Sequence, residues 1–439
     1  MTTVHRWTGR ETKALRQAMR LSIRDFAEVL DVGARTVARW ESRGPDIVLT
    51  PDSQGLLDTA FARAPDDVRQ RFLALLPPEK PVQESGNPQS VRIPVIVNHG
   101  LAVGERSASW TALDQQEQQR LAAALKEPRR NLDVEVIGYF NRQLSVHMAD
   151  DGTAGPAKPL PAVLELAAAV QQAARDVSPR VRRELLAVSA RVAEFLAWLY
   201  RDVCEPVSAG FWRDRATEWA QEAGDSAMQG YVLLKRAQAA YDERDALRML
   251  TLSQAVRTGP WCLPTKVKAE AAQQEARGHA MLGHHHDLVD RNLDEARQLL
   301  EGAGASSAVP EETGAHYNSE LLRIQTAICR TEAGQPGRAV ELYQRSLQTN
   351  QFSQRDRGYF SSLMASALAL AGEPDEAAGV ALAAWPLAVR TDSGRTTAEL
   401  KKVLVALQPW RARATVREFQ RMVLEQPATR TSASPRPSG

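Results

Sequence analysis

Arg35 and Arg39 stand four residues apart in a run, Leu21 to Gly44, that is short, basic and regular. Four residues is about one helical turn, so the two side chains would leave the same side of a helix. A guanidinium is a planar fork of donors that can grip O6 and N7 of a guanine together, which is chemistry for reading a base edge in a major groove. Arg16, Arg20, Arg24 and Arg43 surround that segment, where phosphates would run on either side of such a groove. Residues 1–43 hold nine Lys or Arg against five Asp or Glu, a net +4, while the whole chain is +2 and the remainder therefore −2. Positive charge is concentrated in the first tenth of the protein.

Competing chemistries are weaker. GHHHD, Gly283 to Asp287, offers three consecutive histidines, but neighbours in one loop cannot easily converge on one ion and no H-x-x-x-H pair supports them. A surface loop is expected there, and no metal or other cofactor. The chain has neither G-x-x-x-x-G-K-[ST] nor G-x-S-x-G. Cys204 and Cys262 lie inside or beside apolar helical stretches, which predicts inert packing. Trp198, Tyr200, Phe211, Trp212 and Trp219 form a dense aromatic neighbourhood, expected to be mostly core, with one or two side chains available to a ligand groove. No convergent nucleophile, base or metal set emerges, so an enzyme is not expected.

The elements that must position the arginines are short helices. Ser22 can cap a helix whose first turn holds Asp25; Phe26, Ala27 and Leu30 then give it one apolar side. It stops at Asp31-Val32-Gly33, where Gly33 is expected to permit the tight turn. A second helix, about Ala34 to Glu41, buries Val37 and Trp40. A third, Glu11 to Arg20, offers Ala14, Leu15 and Met19. Two helices of about eight residues joined by a three- or four-residue turn have the dimensions of a helix-turn-helix.

This segment resembles the Xre-type helix-turn-helix regulators, through Ser22-Ile23-Arg24-Asp25-Phe26-Ala27, Val32 and Thr36-Val37-Ala38-Arg39-Trp40-Glu41. The resemblance implies sequence-specific binding of double-stranded DNA, usually as a dimer. It places base reading on Ala34, Arg35 and Arg39, phosphate contacts on Thr36 and Arg43, and the motif's core on Phe26, Ala27, Leu30, Val32, Val37 and Trp40. Ile23 departs from a commonly polar position, and Gly33 from the usual Ser or Thr cap.

At 439 residues and 43% hydrophobic composition, two or more cooperative units are expected. Three scattered cysteines, Cys204, Cys262 and Cys329, fit a reducing compartment. The first nine residues lack a signal-peptide stretch, and no apolar run suits a membrane span. The expected location is the cytoplasm, with nucleoid association when bound to DNA. Residues 1–76 read as a DNA-binding head, 77–90 as a flexible linker, and 91–161 as a connecting region. Within that region 91–98 is strand-like despite Pro94, helices are predicted at 114–127 and 132–148, and 150–161 reads as a second flexible break. Residues 425–439 read as a disordered tail.

From 162 to 424, long helices alternate with short punctuation. EAGQPGRAVELY and LAGEPDEAAGVA match: Gly334 and Gly372 are 38 apart, with Ala339 and Ala377 five residues beyond each, a small residue that would let neighbouring helices approach closely. Leu234, Ala237, Ala240 and Tyr241 are expected to pack hairpins. The pattern resembles degenerate tetratricopeptide repeats, whose stacked hairpins leave a concave surface. The predicted fold class is all-α: a helix-turn-helix bundle followed by a tetratricopeptide-like α-solenoid. The combination resembles a class of actinobacterial regulators with an Xre-type head and such a body; similar architecture elsewhere serves peptide-responsive regulators. The implied function is a homodimeric transcriptional regulator modulated by a peptide, small molecule or protein. The alternative is a helical-repeat scaffold with a vestigial head.

Overall fold

The computed structural model describes residues 7–44, 47, 49–75, 93–97, 100–104, 113–303 and 313–425. The chain divides into two compact units, Met1–Pro88 and Gln89–Gly439. The expected linker 77–90 lies outside the described residues, as does the expected tail beyond Glu425.

The first unit holds α1 (Gly9–Ala18), α2 (Ile23–Val29), α3 (Ala34–Ser42), α4 (Pro51–Arg63) and α5 (Asp66–Leu75). Local chemistry sets where each begins. Thr8 and Glu11 close a capping box on α1, Ser22 accepts from the Asp25 N–H at 3.2 Å to cap α2, and Thr50 caps α4 ahead of Pro51, so otherwise orphaned first-turn donors find acceptors. Leu15, Phe26, Val37, Trp40, Leu57 and Phe72 meet in one apolar core. Trp7 completes it, with ring centroids 6.0 Å from Phe61 and 5.7 Å from Phe72 and its indole N–H on Asp58 at 2.8 Å.

The second unit opens with an antiparallel hairpin, β1 (Ile93–Val97) paired with β2 (Gly100–Gly104), in which Pro94 opposes Val103. In a two-stranded ribbon each strand has a free edge, which is where proline is tolerated. The sequence suggests β1 but not β2, whose glycine-bracketed five residues carry little strand signal. Next come α6 (Gln115–Lys126), α7 (Pro128–Asn131), α8 (Val134–Ala154) and α9 (Leu160–Ala173). A run of paired helices follows: α10 (Pro179–Asp202), α11 (Pro206–Ala223), α12 (Ser226–Asp242), α13 (Ala246–Thr258), α14 (Thr265–Met281) and α15 (His286–Ala303). It continues with α16 (Ser319–Glu332), α17 (Pro336–Leu347), α18 (Gln354–Ala371), α19 (Pro374–Arg390), α20 (Gly394–Ala406) and α21 (Ala414–Glu425).

The repeat is a turn before it is a sequence. Between α10 and α11, α12 and α13, α14 and α15, α16 and α17, and α18 and α19, one residue turns left-handed: Cys204, Arg244, Gly283, Gly334 and Gly372. In all five the next residue's N–H bonds back into the preceding helix: Glu205 to Tyr200, Asp245 to Ala240, His284 to His279, Gln335 to Arg330, Glu373 to Leu368, at 2.8–3.1 Å. The same C-terminal cap serves all five, and it recurs at Gly224 after α11 and at Asp392 after α19. Ala209, Met249, Ala339 and Ala377, five residues past four of those turns, are fully buried. The position five residues past the turn is thus a buried one, filled by alanine in three cases and by methionine in one, and the hairpin motif extends to turns that contain no glycine.

Hairpins stack through their even-numbered helices, α10 on α12, α12 on α14, and so on to α20, and α10 also touches α20. The helices of 113–173 are not a separate connection, because Leu121, Val136, Phe140 and Leu166 share an apolar cluster with α10–α12. The flexible break expected at 150–161 is also corrected. Gly152 lies within α8; Gly155 ends the helix at φ +82°, so close to Thr391 that an added Cβ would sit 1.6 Å from its carbonyl oxygen. Glycine here permits packing rather than looseness.

Candidate nucleic-acid interface

α2 and α3 are joined by Leu30 to Gly33, and the residue that turns the chain is Asp31, at φ +52°. Gly33 instead has φ −70° and ψ 137°, an extended geometry open to any residue, and as N-cap of α3 it has no side-chain acceptor to offer. The expectation that Gly33 enables the turn is corrected. The short polar side chain of aspartate is among those that tolerate the left-handed region.

α3 is two-sided. Val37 and Trp40 are buried, together with Phe26, Ala27 and Leu30 of α2, and Val32 packs partly buried against them. Ala34, Arg35 and Arg39 are exposed on α3, and Thr36 is half-buried. Arg20, Arg24 and Arg43 are exposed as well. Arg24 lies 3.7 Å from Glu28 in a pair open to water, worth little. Among the described residues neither Arg35 nor Arg39 has a carboxylate partner. Ile23, the unusual residue of the α2 start, is 36% exposed at the edge of this surface.

Arg16 belongs elsewhere. Its Nε and Nη2 donate to the two carboxylate oxygens of Glu41 at 2.6 and 2.9 Å, and its Nη1 to the Leu21 carbonyl at 2.9 Å. The pair is nearly enclosed, at 15% and 9% side-chain exposure. The Glu41 hydrogen bond also holds the Arg16 pKa above its usual value. Arg16 is thus corrected from a phosphate contact to a clamp between α1 and α3, its fork filled by protein acceptors. Gly9 acts in the same place. Its Cα lies against the Trp40 backbone, and an added Cβ would stand 1.8 Å from that carbonyl oxygen. Spacing alone gave no sign of Gly9, whereas Glu11, three residues after Thr8, carries a readable capping signature.

The other chemical candidates resolve as follows. His284, His285 and His286 are exposed; His279 Nδ1 and His284 Nδ1 lie 2.8 Å apart. Among the described residues no three His, Cys, Asp or Glu side chains are grouped to hold a metal. Cys329 is buried, but Cys204 and Cys262 are exposed, which corrects the expectation of packed, inert thiols: both sit in connections between helices rather than inside them. Trp212 and Trp219 are core, as are Leu234, Ala237 and Ala240, while the half-buried Tyr241 donates to Glu332 at 3.0 Å.

Trp198 is different. It donates to Asp151 at 2.9 Å, and the guanidinium groups of Arg201, Arg355 and Arg395 lie 5.6, 4.7 and 5.2 Å from its ring. Arg395 also lies 4.0 Å from the Tyr359 ring. Arg201 lies three residues beyond Trp198 on α10, but Arg355 and Arg395 come from α18 and α20, so no local spacing announces those two.

No protein-family model matches the chain, and no curated protein matches it. Among solved structures the TPR domain of P58(IPK) is similar over 70% of this chain and 93% of that one, with 14% identity and a TM-score of 0.20. A likeness at that score adds nothing to the helix pairing already described. Among the described residues every element apart from β1–β2 is helical, and the larger unit is an array of helical hairpins. No helix among the described residues is long and apolar enough to cross a membrane.

Proposed function

We propose that this protein is a sequence-specific regulator that binds double-stranded DNA through α3, acts as a homodimer, and is modulated by a peptide, small molecule or protein bound to its helical array. The observation that carries the reading is the two-sidedness of α3: Val37 and Trp40 are buried while Arg35 and Arg39 are exposed without carboxylate partners among the described residues. Exposed guanidinium forks one turn apart suit a base edge, and Arg20, Arg24 and Arg43 around them suit phosphate. The likeness of residues 22–41 to Xre-type regulators supports the same assignment, including Ala34 as a base contact and Thr36 as a phosphate contact. A dimer follows from reach: one short helix reads few base pairs, whereas two can meet successive major-groove turns about 34 Å apart. On this reading the protein works in the cytoplasm and on the nucleoid.

Selection of a preferred duplex from a random pool by the full-length protein, then footprinting, tests this. The expected outcome is a two-fold symmetric site bound by a dimer. Enrichment of no sequence would leave the array as the working part, a non-enzymatic interaction module carrying a vestigial head.

A further inference from the structure

The array of hairpins closes on itself, and it closes through charge. α8 lies against α18, and α10 against α20. Across that seam Arg355 pairs with Asp151, the Ser393 hydroxyl donates to Asp202 at 3.1 Å, and Arg395 lies 3.9 Å from the same carboxylate. The backbones approach through glycine: Gly155 against the Thr391 carbonyl, Gly152 against Ser353, and Gly394 against the Asp202 carbonyl. The apolar cores do not follow. Buried residues of α8–α10 and those of α18–α20 belong to separate hydrophobic clusters. Most even-numbered helices meet the next one along the chain, whereas this contact joins helices from opposite ends of the row.

The seam is incompletely satisfied. Asp151 Oδ1, Asp202 Oδ2 and Arg395 Nε have no hydrogen-bond partner within the protein, although the Asp151 and Asp202 side chains are almost fully buried and Arg395 is 11% exposed. A buried polar atom without a hydrogen bond loses its water with nothing in exchange, even where the group it belongs to is paired through its other atoms. Ion pairs taken out of water gain little net stability even when well formed. Closing this seam therefore sets several pairs and cation–π contacts against the dehydration of three unmatched polar atoms. The apolar clusters on either side carry no such ambiguity.

We propose that the contact of α8 and α10 with α18 and α20 is a reversible latch, which opens by separating its charge pairs while the hydrophobic clusters of the array stay folded. Opening hydrates Asp151, Asp202 and Arg395 and uncovers the inner wall around Trp198. The latch does not depend on what the first unit binds.

Hydrogen exchange on the full-length protein tests it. Arg355→Gln removes the pair with Asp151 while keeping a polar side chain. Expected is exchange at least tenfold faster in 149–155, 353–359 and 391–397, with the central turns of α10 and α19 unchanged. Uniform loss of protection from α8 to α21 overturns the proposal, because the seam would then be one piece with the cores; no change at the seam overturns it too. A second variant needs no charge removed. An ideal Cβ on Gly152 lies 3.2 Å from Ser353 Cβ, near the ~3.8 Å of a disulfide. Gly152→Cys/Ser353→Cys, in a chain with Cys204, Cys262 and Cys329 replaced by serine or alanine, can lock the latch. Its oxidised form should exchange at least threefold more slowly than its reduced form at the seam and identically elsewhere. Equal exchange in the two forms means that the seam does not open.

Discussion

The two units use arginine in opposite ways. On α3, Arg35 and Arg39 project into water with no carboxylate partner among the described residues. Inside the helical array, Arg355 and Arg395 are enclosed by Trp198, Tyr359, Asp151 and Asp202. Charge left uncompensated on a surface is available to a partner, and charge matched inside the fold is already committed. Arg16 shows that the rule divides residues rather than domains: it sits in the basic head, yet Glu41 and the Leu21 carbonyl occupy its donors.

The sharpest way to break the head is at its closest backbone approach. Gly9→Ala would place a Cβ 1.8 Å from Trp40 O and 2.8 Å from Gly44 O. Both are backbone atoms with little freedom to move, so the cost should reach about 3 kcal/mol or more. Calorimetry should show the head's transition lost or strongly lowered; an unchanged transition would mean that α1 and α3 are not in this contact. Next comes the clamp. Arg16→Ala leaves Glu41 enclosed and unpaired, a loss of about 3 kcal/mol, seen as a lower denaturation midpoint. If it instead lowers the salt dependence of DNA binding with stability intact, Arg16 does touch phosphate.

The exposed arginines should behave in the reverse manner. Arg35→Ala and Arg39→Ala should leave stability within about 0.5 kcal/mol and cost about 1–3 kcal/mol of discrimination at one base pair each. Arg24→Ala and Arg43→Ala should weaken all duplexes alike and lower the salt slope by about one per contact. Operator ranking that survives loss of both Arg35 and Arg39 would remove α3 from the recognition role.

What the sequence made legible divides along similar lines. Helices with a polar cap or proline at the start and a clear apolar stripe could be placed to within a few residues, as for α10 (Pro179–Asp202) and α19 (Pro374–Arg390), because those signals are local. The two-sidedness of α3 was legible for the same reason. The breaks between 203 and 208 and between 242 and 244 were legible too, but not that Cys204 and Arg244 turn left-handed in them, since neither is the expected glycine. The seam was invisible: Asp151 and Arg355 are 204 residues apart, and only the closure of the array brings them together.

Inside the array the comparison can be sharpened with pH. Burial pushes the Asp151 carboxyl up to about 6, against the pull of Arg355. Its stabilising contribution is present below its ordinary value of 3.8 and is lost as pH rises through 6. His316, its side chain half exposed and 3.9 Å from Glu270, is pushed the other way, down to about 4, by the loss of water around its ring and then by Lys235. Its contribution is present above 6.5 and is lost as pH falls through 4. The two oppose one another between pH 4 and 6.5, so the wild-type array should show a shallow profile there. His147 and His279 lean with His316, and Asp202 and Glu194 with Asp151. Asp151→Asn should leave a stability that falls on acidification across this window, whereas His316→Gln should leave one that falls as pH rises. Denaturation midpoints at pH 4.5 and 6.5 separate the two; parallel profiles in both variants would mean that neither group titrates as its surroundings dictate.

The smallest effects lie in the turn between α2 and α3, where two adjacent substitutions test which residue bends the chain. Asp31→Gly relieves the left-handed strain of an L side chain, about 1 kcal/mol, but frees the unfolded backbone at a cost of about 0.5–1 kcal/mol, so the net change should be within about 0.5 kcal/mol of zero. Gly33→Ser works through both states in one direction. The extended geometry of Gly33 accepts a side chain, a new Cβ would meet only Thr36 Oγ1 at 3.6 Å, and a hydroxyl at the N-cap adds a few tenths of a kcal/mol. Restricting the unfolded chain adds about 0.4–1 kcal/mol more. Gly33→Ser should therefore stabilise the head by roughly 0.5–1 kcal/mol, detectable as a rise of a few degrees in its melting transition. Destabilisation by Gly33→Ser together with a clear loss from Asp31→Gly would return the turn to Gly33 and shift the register of α3, taking Arg35 and Arg39 off the face they share.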